Sequence, residues 1–186
     1  MPLFPAFIDL SRKNVLVVGG GKVATRKVQS LLKFTRRITV VAPKVTREMK
    51  RIVKENGLRL KRRRFLRSDL KDKFMVVVAV DDLALQKEIY QLCEKKGILC
   101  NSVDSPELCN FIFPSLIVKG DLVVGISTSG KVPALSKRVR ELIESCLPND
   151  IDRLLELLER ERSSLDRGEE RQRRIKELVE KLLPID

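Results

Sequence analysis

The chain has 186 residues, enough for one full domain and a smaller second unit with an ordinary hydrophobic core. It contains no histidine, which excludes the usual general base. Its four cysteines form no C-x-x-C pair, so the sequence predicts neither a metal site nor a disulfide framework. The formal charge of +13 favours a polyanionic partner, and without a signal peptide or a run of about 18 apolar residues we expect a cytoplasmic protein with no membrane partner.

Strand and helix patterns alternate through the first hundred residues. The sequence predicts five strands, at residues 14–18, 38–42, 58–62, 74–79 and 98–101. Helices are predicted between them at residues 22–34 and 46–55, and from a cap at Asp81 or Asp82 to residue 96. This alternation is typical of an α/β fold in which helices cover a parallel sheet.

The pattern changes after residue 101. Residues 111–119 and 121–127 are two β-rich segments joined at Lys119 and Gly120, which predicts an antiparallel hairpin. Three apolar stripes with helical spacing follow and begin at Leu135, Ile151 and Ile175. The last two helices could pack on each other or on a second subunit.

Three glycines follow the apolar strand of residues 14–18, and an amphipathic helix begins directly after them. In a G-x-G-x-x-G/A pattern, Gly19 allows a tight turn, Gly21 lets the backbone approach a pyrophosphate, and Ala24 lets helix and strand pack closely. The segment predicts dinucleotide binding at the helix N-terminus. The alternative is a βα turn with a purely structural role.

Ligands of open α/β sheets bind outside the carboxyl ends of the strands. The second predicted strand ends in Ala42, Pro43 and Lys44, without the acid that usually binds the ribose of NAD, so these residues leave NAD and NADP both open. The fourth strand is followed by Val80 and Asp81, and these positions are further candidates for cofactor contacts.

Two polar loops and one basic run each allow a structural and a functional interpretation. Asp104 precedes Ser-Pro and is either a turn former or a catalytic carboxylate. Residues 127–133 either cap a helix or bind an anion at its N-terminus. Residues 61–64 (Lys61, Arg62, Arg63, Arg64) are a solvated surface or a polyanion site, and without interleaved aromatic residues we predict no nucleic-acid partner.

Four motifs, in this order, resemble the siroheme synthase amino-terminal family. They are VLVVGGGKVATRK at residues 15–27, TVVAP at 39–43, NSVDSPELCNFIFP at 101–114 and ISTSGKVPAL at 126–135. The resemblance covers about residues 1–146. It implies a Rossmann-type domain with helices on both faces over residues 1–110, a β-rich dimerisation region over 111–146, and a small helical domain over 147–186, assembled as a homodimer. One departure is Asn110, where the family usually has aspartate.

Members of this family are precorrin-2 dehydrogenases, and some are also sirohydrochlorin ferrochelatases. The resemblance implies NAD-dependent oxidation of precorrin-2, a polycarboxylate tetrapyrrole, to sirohydrochlorin, with Asp104 as the catalytic carboxylate. The expected cofactor-binding residues are Gly19, Gly20, Gly21, Lys22, Val23, Ala42, Pro43, Val80 and Asp81. The expected substrate-binding residues are Asn101, Ser127, Thr128, Ser129, Gly130 and Lys131. The alternatives are a bifunctional dehydrogenase and ferrochelatase, and a NAD-sensing regulatory module.

Overall fold

Five parallel strands form the central sheet of the first half of the chain. In a computed structural model that describes residues 3–184, they are β1 (Val15–Val18), β2 (Ile38–Val41), β3 (Arg59–Lys61), β4 (Met75–Val78) and β5 (Leu99–Ser102). Their order is β3-β2-β1-β4-β5, and every pair is parallel. The three central strands are fully buried, which explains why they consist mainly of apolar, β-branched residues. The predicted parallel α/β sheet is confirmed.

Helices cover both faces of this sheet, as predicted. They are α1 (Lys22–Leu31), α2 (Arg47–Glu55) and α3 (Leu83–Lys96). Apolar residues of α1 and α2 pack on one face of the sheet, and those of α3 pack on the other. Helix α1 ends three residues before the predicted Phe34, because the N–H groups of Phe34 and Thr35 both donate to the Leu31 carbonyl and close the last turn.

The second half of the chain contains a hairpin and three helices. The hairpin pairs β6 (Ser115–Lys119) with β7 (Leu122–Ile126) in antiparallel register. The helices are α4 (Pro133–Cys146), α5 (Ile151–Ser164) and α6 (Glu169–Leu182), and α5 packs on α6. In residues 3–184, no helix is long and apolar enough to cross a membrane.

The chain divides into two compact units after Phe113, the first of them Leu3–Phe113. The predicted hairpin is confirmed, but its first strand starts at Ser115 rather than at residue 111. Phe111 and Phe113 instead pack against the core of the first unit, with their ring centroids 5.0 Å apart. Their burial there explains why the apolar run of residues 111–119 is longer than the strand it contains.

Candidate dinucleotide and catalytic site

The glycine turn between β1 and α1 is shaped by close backbone packing. Gly19 has φ +125°, and a Cβ at this position would lie 2.1 Å from the Ala79 carbonyl oxygen. A Cβ on Gly20 would lie 2.2 Å from the Lys44 carbonyl oxygen. A Cβ on Gly21 would meet no atom within 4 Å. Packing therefore explains the first two glycines, whereas the third leaves open space in front of the helix.

The N-terminus of α1 has the features of an anion site. Gly21 is the N-cap and offers no side-chain acceptor to the first N–H groups of the helix. These N–H groups lack partners within the helix, and the helix dipole places positive charge there. Lys22 and Val23 are exposed beside them, and no acidic residue lies in the first turn. This helix N-terminus, with its free N–H groups, fits the diphosphate of a dinucleotide.

The loop after β2 is bound to the glycine turn. The N–H of Thr46 donates to the Gly20 carbonyl at 2.9 Å, and the hydroxyls of Thr25 and Thr46 are 3.1 Å apart. Ala42 is buried, and Pro43 beside it is exposed. Both residues therefore lie at the same sheet edge as the three glycines.

The loop after β4 lies on the other side of the glycine turn. The Ala79 N–H donates to the Val18 carbonyl at 2.8 Å, so this loop is joined to the end of β1. Val80 is half-buried and Asp81 is exposed. Asp82 caps α3 by accepting a hydrogen bond from Leu85 N–H at 3.0 Å, which decides between the two predicted caps.

Asp104 follows β5 with an unusual backbone conformation. Its φ is +63°, in the left-handed region that side-chain-bearing residues adopt at some cost. The side chain is exposed, and within residues 3–184 its carboxylate makes no hydrogen bond. Asn101, in β5, is buried and donates to the Phe111 carbonyl at 3.0 Å. Asp104 is thus available for chemistry, whereas the Asn101 amide is used to fix the adjacent backbone.

Lys27 is a charged neighbour of Asp104 that sequence reasoning missed. It is half-buried on α1, and its ammonium lies 4.2 Å from the centroid of the Phe113 ring. Burial lowers the pKa of Lys27, and the charges of Cys109 and Asp104 act in the opposite direction. The region around Asp104 therefore combines a carboxylate, a desolvated cation and an aromatic ring.

The predicted anion loop between β7 and α4 belongs to the second unit. The Ser127 hydroxyl accepts from Ser129 N–H at 3.0 Å, and the Thr128 hydroxyl accepts from Val132 N–H at 3.0 Å. Gly130 has φ +78°, and Lys131 is exposed. Two of the predicted substrate-binding hydroxyls thus stabilise the loop itself. Neither of them caps α4, because the N-cap of that helix is Val132, which supplies no side-chain hydrogen bond.

The basic run of residues 61–64 is partly an internal ion cluster. Asp69, whose side chain is 1% exposed, binds Arg63 through two hydrogen bonds of 2.7 Å and Lys61 through one of 2.7 Å. These cations hold the pKa of Asp69 far below its usual range, with Arg63 as the largest cause. Arg62 and Arg64 are exposed.

The parallel sheet, the close-packed glycines and the open helix N-terminus together define a Rossmann-type dinucleotide-binding domain. Residues 6–115 match the family model described as "Putative NAD(P)-binding". The chain belongs to this family and, within it, to the siroheme synthase amino-terminal family, which confirms the resemblance of the four motifs.

Two curated relatives and one solved structure document this membership. The siroheme synthase of Ruthia magnifica is 37% identical over 157 residues, which cover 84% of this chain and 33% of that protein. The siroheme synthase of Sodalis glossinidius is 42% identical over 148 residues, covering 80% and 31%. The structure of SirC, precorrin-2 dehydrogenase, superposes with a TM-score of 0.81 at 31% identity, covering 95% of this chain and 89% of SirC. The chain spans about a third of the length of these siroheme synthases.

Proposed function

We propose that this chain is a NAD-dependent precorrin-2 dehydrogenase that oxidises precorrin-2 to sirohydrochlorin in siroheme biosynthesis. The observation that carries the proposal is the similarity to SirC, which extends over nearly the whole of both chains. The formal charge of +13 suits a polycarboxylate tetrapyrrole. The open N-terminus of α1 suits the diphosphate of NAD.

The cofactor-binding residues in this proposal surround the glycine turn. When bound, NAD supplies the acceptor for the two electrons that leave the substrate. The backbone of the glycine turn and of the first turn of α1 binds the diphosphate, and the loops after β2 and β4 flank the rest of the dinucleotide. The residues concerned are Gly19, Gly20, Gly21, Lys22, Val23, Ala42, Pro43, Val80 and Asp81.

Asp104 accepts the proton that the substrate loses. Its exposed, unbonded carboxylate is the group near β5 best suited to this role in a chain without histidine. Lys131 and the backbone of the loop after β7 bind carboxylates of the macrocycle. Ser127, Thr128, Ser129 and Gly130 shape the backbone of this loop. Asn101, within β5, fixes the backbone at Phe111 in the same way.

The protein acts as a cytoplasmic homodimer in this proposal. The cysteines are free thiols, which suits a reducing compartment. In the second unit Val132, Leu135 and Leu142 are each about half exposed, and such apolar side chains suit contact with a second copy. Light scattering on purified protein measures the oligomeric state, and a monomer at micromolar concentration contradicts the dimer.

The deciding experiment is anaerobic turnover of enzymatically generated precorrin-2 with NAD⁺ and, separately, NADP⁺, followed by absorbance. We expect cofactor-dependent formation of sirohydrochlorin, and Fe²⁺ added to the product then tests the ferrochelatase activity. No turnover with either cofactor, from folded protein that binds NADH, refutes the proposal and favours a NAD-sensing module.

The role of Asp104 is tested by Asp104→Asn with Asp72→Asn as its matched control. Asp72 is also an exposed aspartate with positive φ, +57°, and asparagine tolerates that conformation at both positions. We expect Asp104→Asn to lower kcat by about 100-fold or more while NADH binding persists. Asp72→Asn leaves turnover unchanged. Full turnover by Asp104→Asn contradicts the assignment.

A further inference from the structure

Gln86 is a buried glutamine that joins two loops of the candidate site. It lies in the first turns of α3 and is 6% exposed. Its Nε2 donates to the Val80 carbonyl at 2.7 Å, and its Oε1 accepts from the Ser105 hydroxyl at 2.7 Å. Ser105 is itself 7% exposed. One carboxamide therefore connects the loop after β4 with the loop after β5.

Each of the two hydrogen bonds acts on a different part of the site. Val80 follows Ala79, whose carbonyl packs against the Gly19 backbone in the dinucleotide turn. Ser105 follows Asp104, whose left-handed backbone needs support from its neighbours. The Gln86–Val80 bond thus fixes the loop beside the dinucleotide turn, and the Gln86–Ser105 bond fixes the backbone next to the Asp104 carboxylate.

Helix α3 does not depend on Gln86 for its own stability. Asp82 already caps its N-terminus. Ile89 and Cys93 anchor the helix in the core and are 0% exposed. A buried amide whose two hydrogen bonds both leave its own helix is therefore explained by the loops it connects.

We propose that Gln86 is a positioning residue that sets the distance between the dinucleotide turn and the Asp104 carboxylate. The part of this inference that concerns Asp104 rests on the proposed function. Loss of the Ser105 bond lets the Asp104 turn move and slows the chemical step. Loss of the Val80 bond loosens the loop against Gly19 and weakens binding of the dinucleotide.

Three variants separate these two effects. Ser105→Ala removes only the hydroxyl bond, and we expect kcat to fall about tenfold with unchanged NADH affinity. Gln86→Glu keeps an acceptor for Ser105, but an ionised carboxylate cannot donate to the Val80 carbonyl, so NADH affinity falls about tenfold near pH 8. Gln86→Leu loses both hydrogen bonds and shows both defects. Gln91→Leu, the same change at an exposed position of α3, is the control and behaves as wild type.

The pH dependence of Gln86→Glu provides a readout that a general loss of packing does not give. Burial raises the pKa of an introduced carboxyl group, and once protonated this group can again donate to the Val80 carbonyl. NADH affinity of this variant therefore recovers as the pH is lowered from 8 to 6, whereas that of Gln86→Leu does not. Urea unfolding of each variant shows that the protein is folded under assay conditions.

The outcomes separate this inference from the proposed function. If the wild type oxidises precorrin-2 and Ser105→Ala has wild-type kcat, the positioning role is overturned while the function stands. If the wild type does not oxidise precorrin-2, the proposed function is refuted, and so is the proposed effect of Gln86 on the position of Asp104. The NADH titrations then still test whether the Gln86–Val80 hydrogen bond supports binding of the dinucleotide. Equal NADH affinities for wild type, Gln86→Glu and Gln86→Leu overturn that role.

Discussion

Replacing Gly19 and Gly21 by alanine, one at a time, separates the folding role of the glycine turn from its binding role. Gly19 has φ +125°, which alanine rarely adopts, and the new Cβ would lie 2.1 Å from the Ala79 carbonyl oxygen. Gly21 has φ −78° and ψ −173°, an extended conformation open to any residue, and its Cβ would meet nothing within 4 Å. The same chemical change therefore tests two different constraints.

The expected magnitudes follow from these geometries. For Gly19→Ala, backbone strain of about 1–3 kcal/mol adds to about 1–3 kcal/mol of overpacking, so the free energy of unfolding falls by about 2–6 kcal/mol. For Gly21→Ala, the lower entropy of the unfolded chain offsets the poorer N-cap, and stability changes by less than about 1 kcal/mol. The Cβ of Gly21→Ala nevertheless obstructs the approach of a diphosphate, and losing one charge-assisted hydrogen bond of about 1.5–3 kcal/mol weakens NADH binding at least about tenfold.

Urea unfolding and NADH fluorescence titration measure the two effects. Gly168→Ala is the matched control, since Gly168 is also an extended N-cap glycine with nothing within 4 Å, on α6. We expect it to match Gly21→Ala in stability and the wild type in NADH affinity. Wild-type NADH affinity in Gly21→Ala would refute the assignment of the diphosphate to this turn. Wild-type stability in Gly19→Ala would refute the packing argument.

Two further predictions concern stability. Asp69→Asn should cost about 2–3 kcal/mol at pH 7, below the 3–5 kcal/mol of fully buried pairs because Lys61 and Arg63 are 36% and 38% exposed. Since the folded-state pKa of Asp69 is lowered, its contribution is present above the unfolded-state pKa near 4 and lost as pH falls below it, so urea unfolding at pH 3 should show a smaller cost than at pH 7. Thr46→Ala removes the N-cap of α2 and a hydroxyl contact with Thr25, and urea unfolding should show a loss of about 1–2 kcal/mol that Thr46→Ser largely restores.

The sheet was predictable because the burial of its strands directly determines their residue types. A strand such as Met75–Val78 is buried on both faces, so every position is apolar whatever its neighbours are. The start of β6 was not predictable in this way. Phe111 and Phe113 are as apolar as a strand, but they pack against the core of the first unit. A local pattern shows that a side chain is buried and does not show which core buries it.

In the candidate site, too, some residues have a local sequence signal and others do not. The three glycines were predictable, because backbone geometry at a βα turn restricts residue type directly. Gln86 and Ser105 gave no signal, since a glutamine on a helix and a serine before proline are ordinary surface residues. Their contact joins positions 19 residues apart and exists only after both loops have formed.

The basic run shows why charge counting alone overstates a polyanion site. Lys61 and Arg63 both pair with Asp69, whose single negative charge offsets one of their two positive charges. Asp69 is nearly inaccessible and follows them in sequence by eight and six residues. Only Arg62 and Arg64 of this run are exposed and outside the cluster. With Asp69, the four cations of the run carry a net charge of +3 rather than +4, and only Arg62 and Arg64 are free of ion pairs within the cluster. Because the Asp69 cluster anchors this loop next to the end of β3, those two guanidinium groups are attached to a fixed backbone.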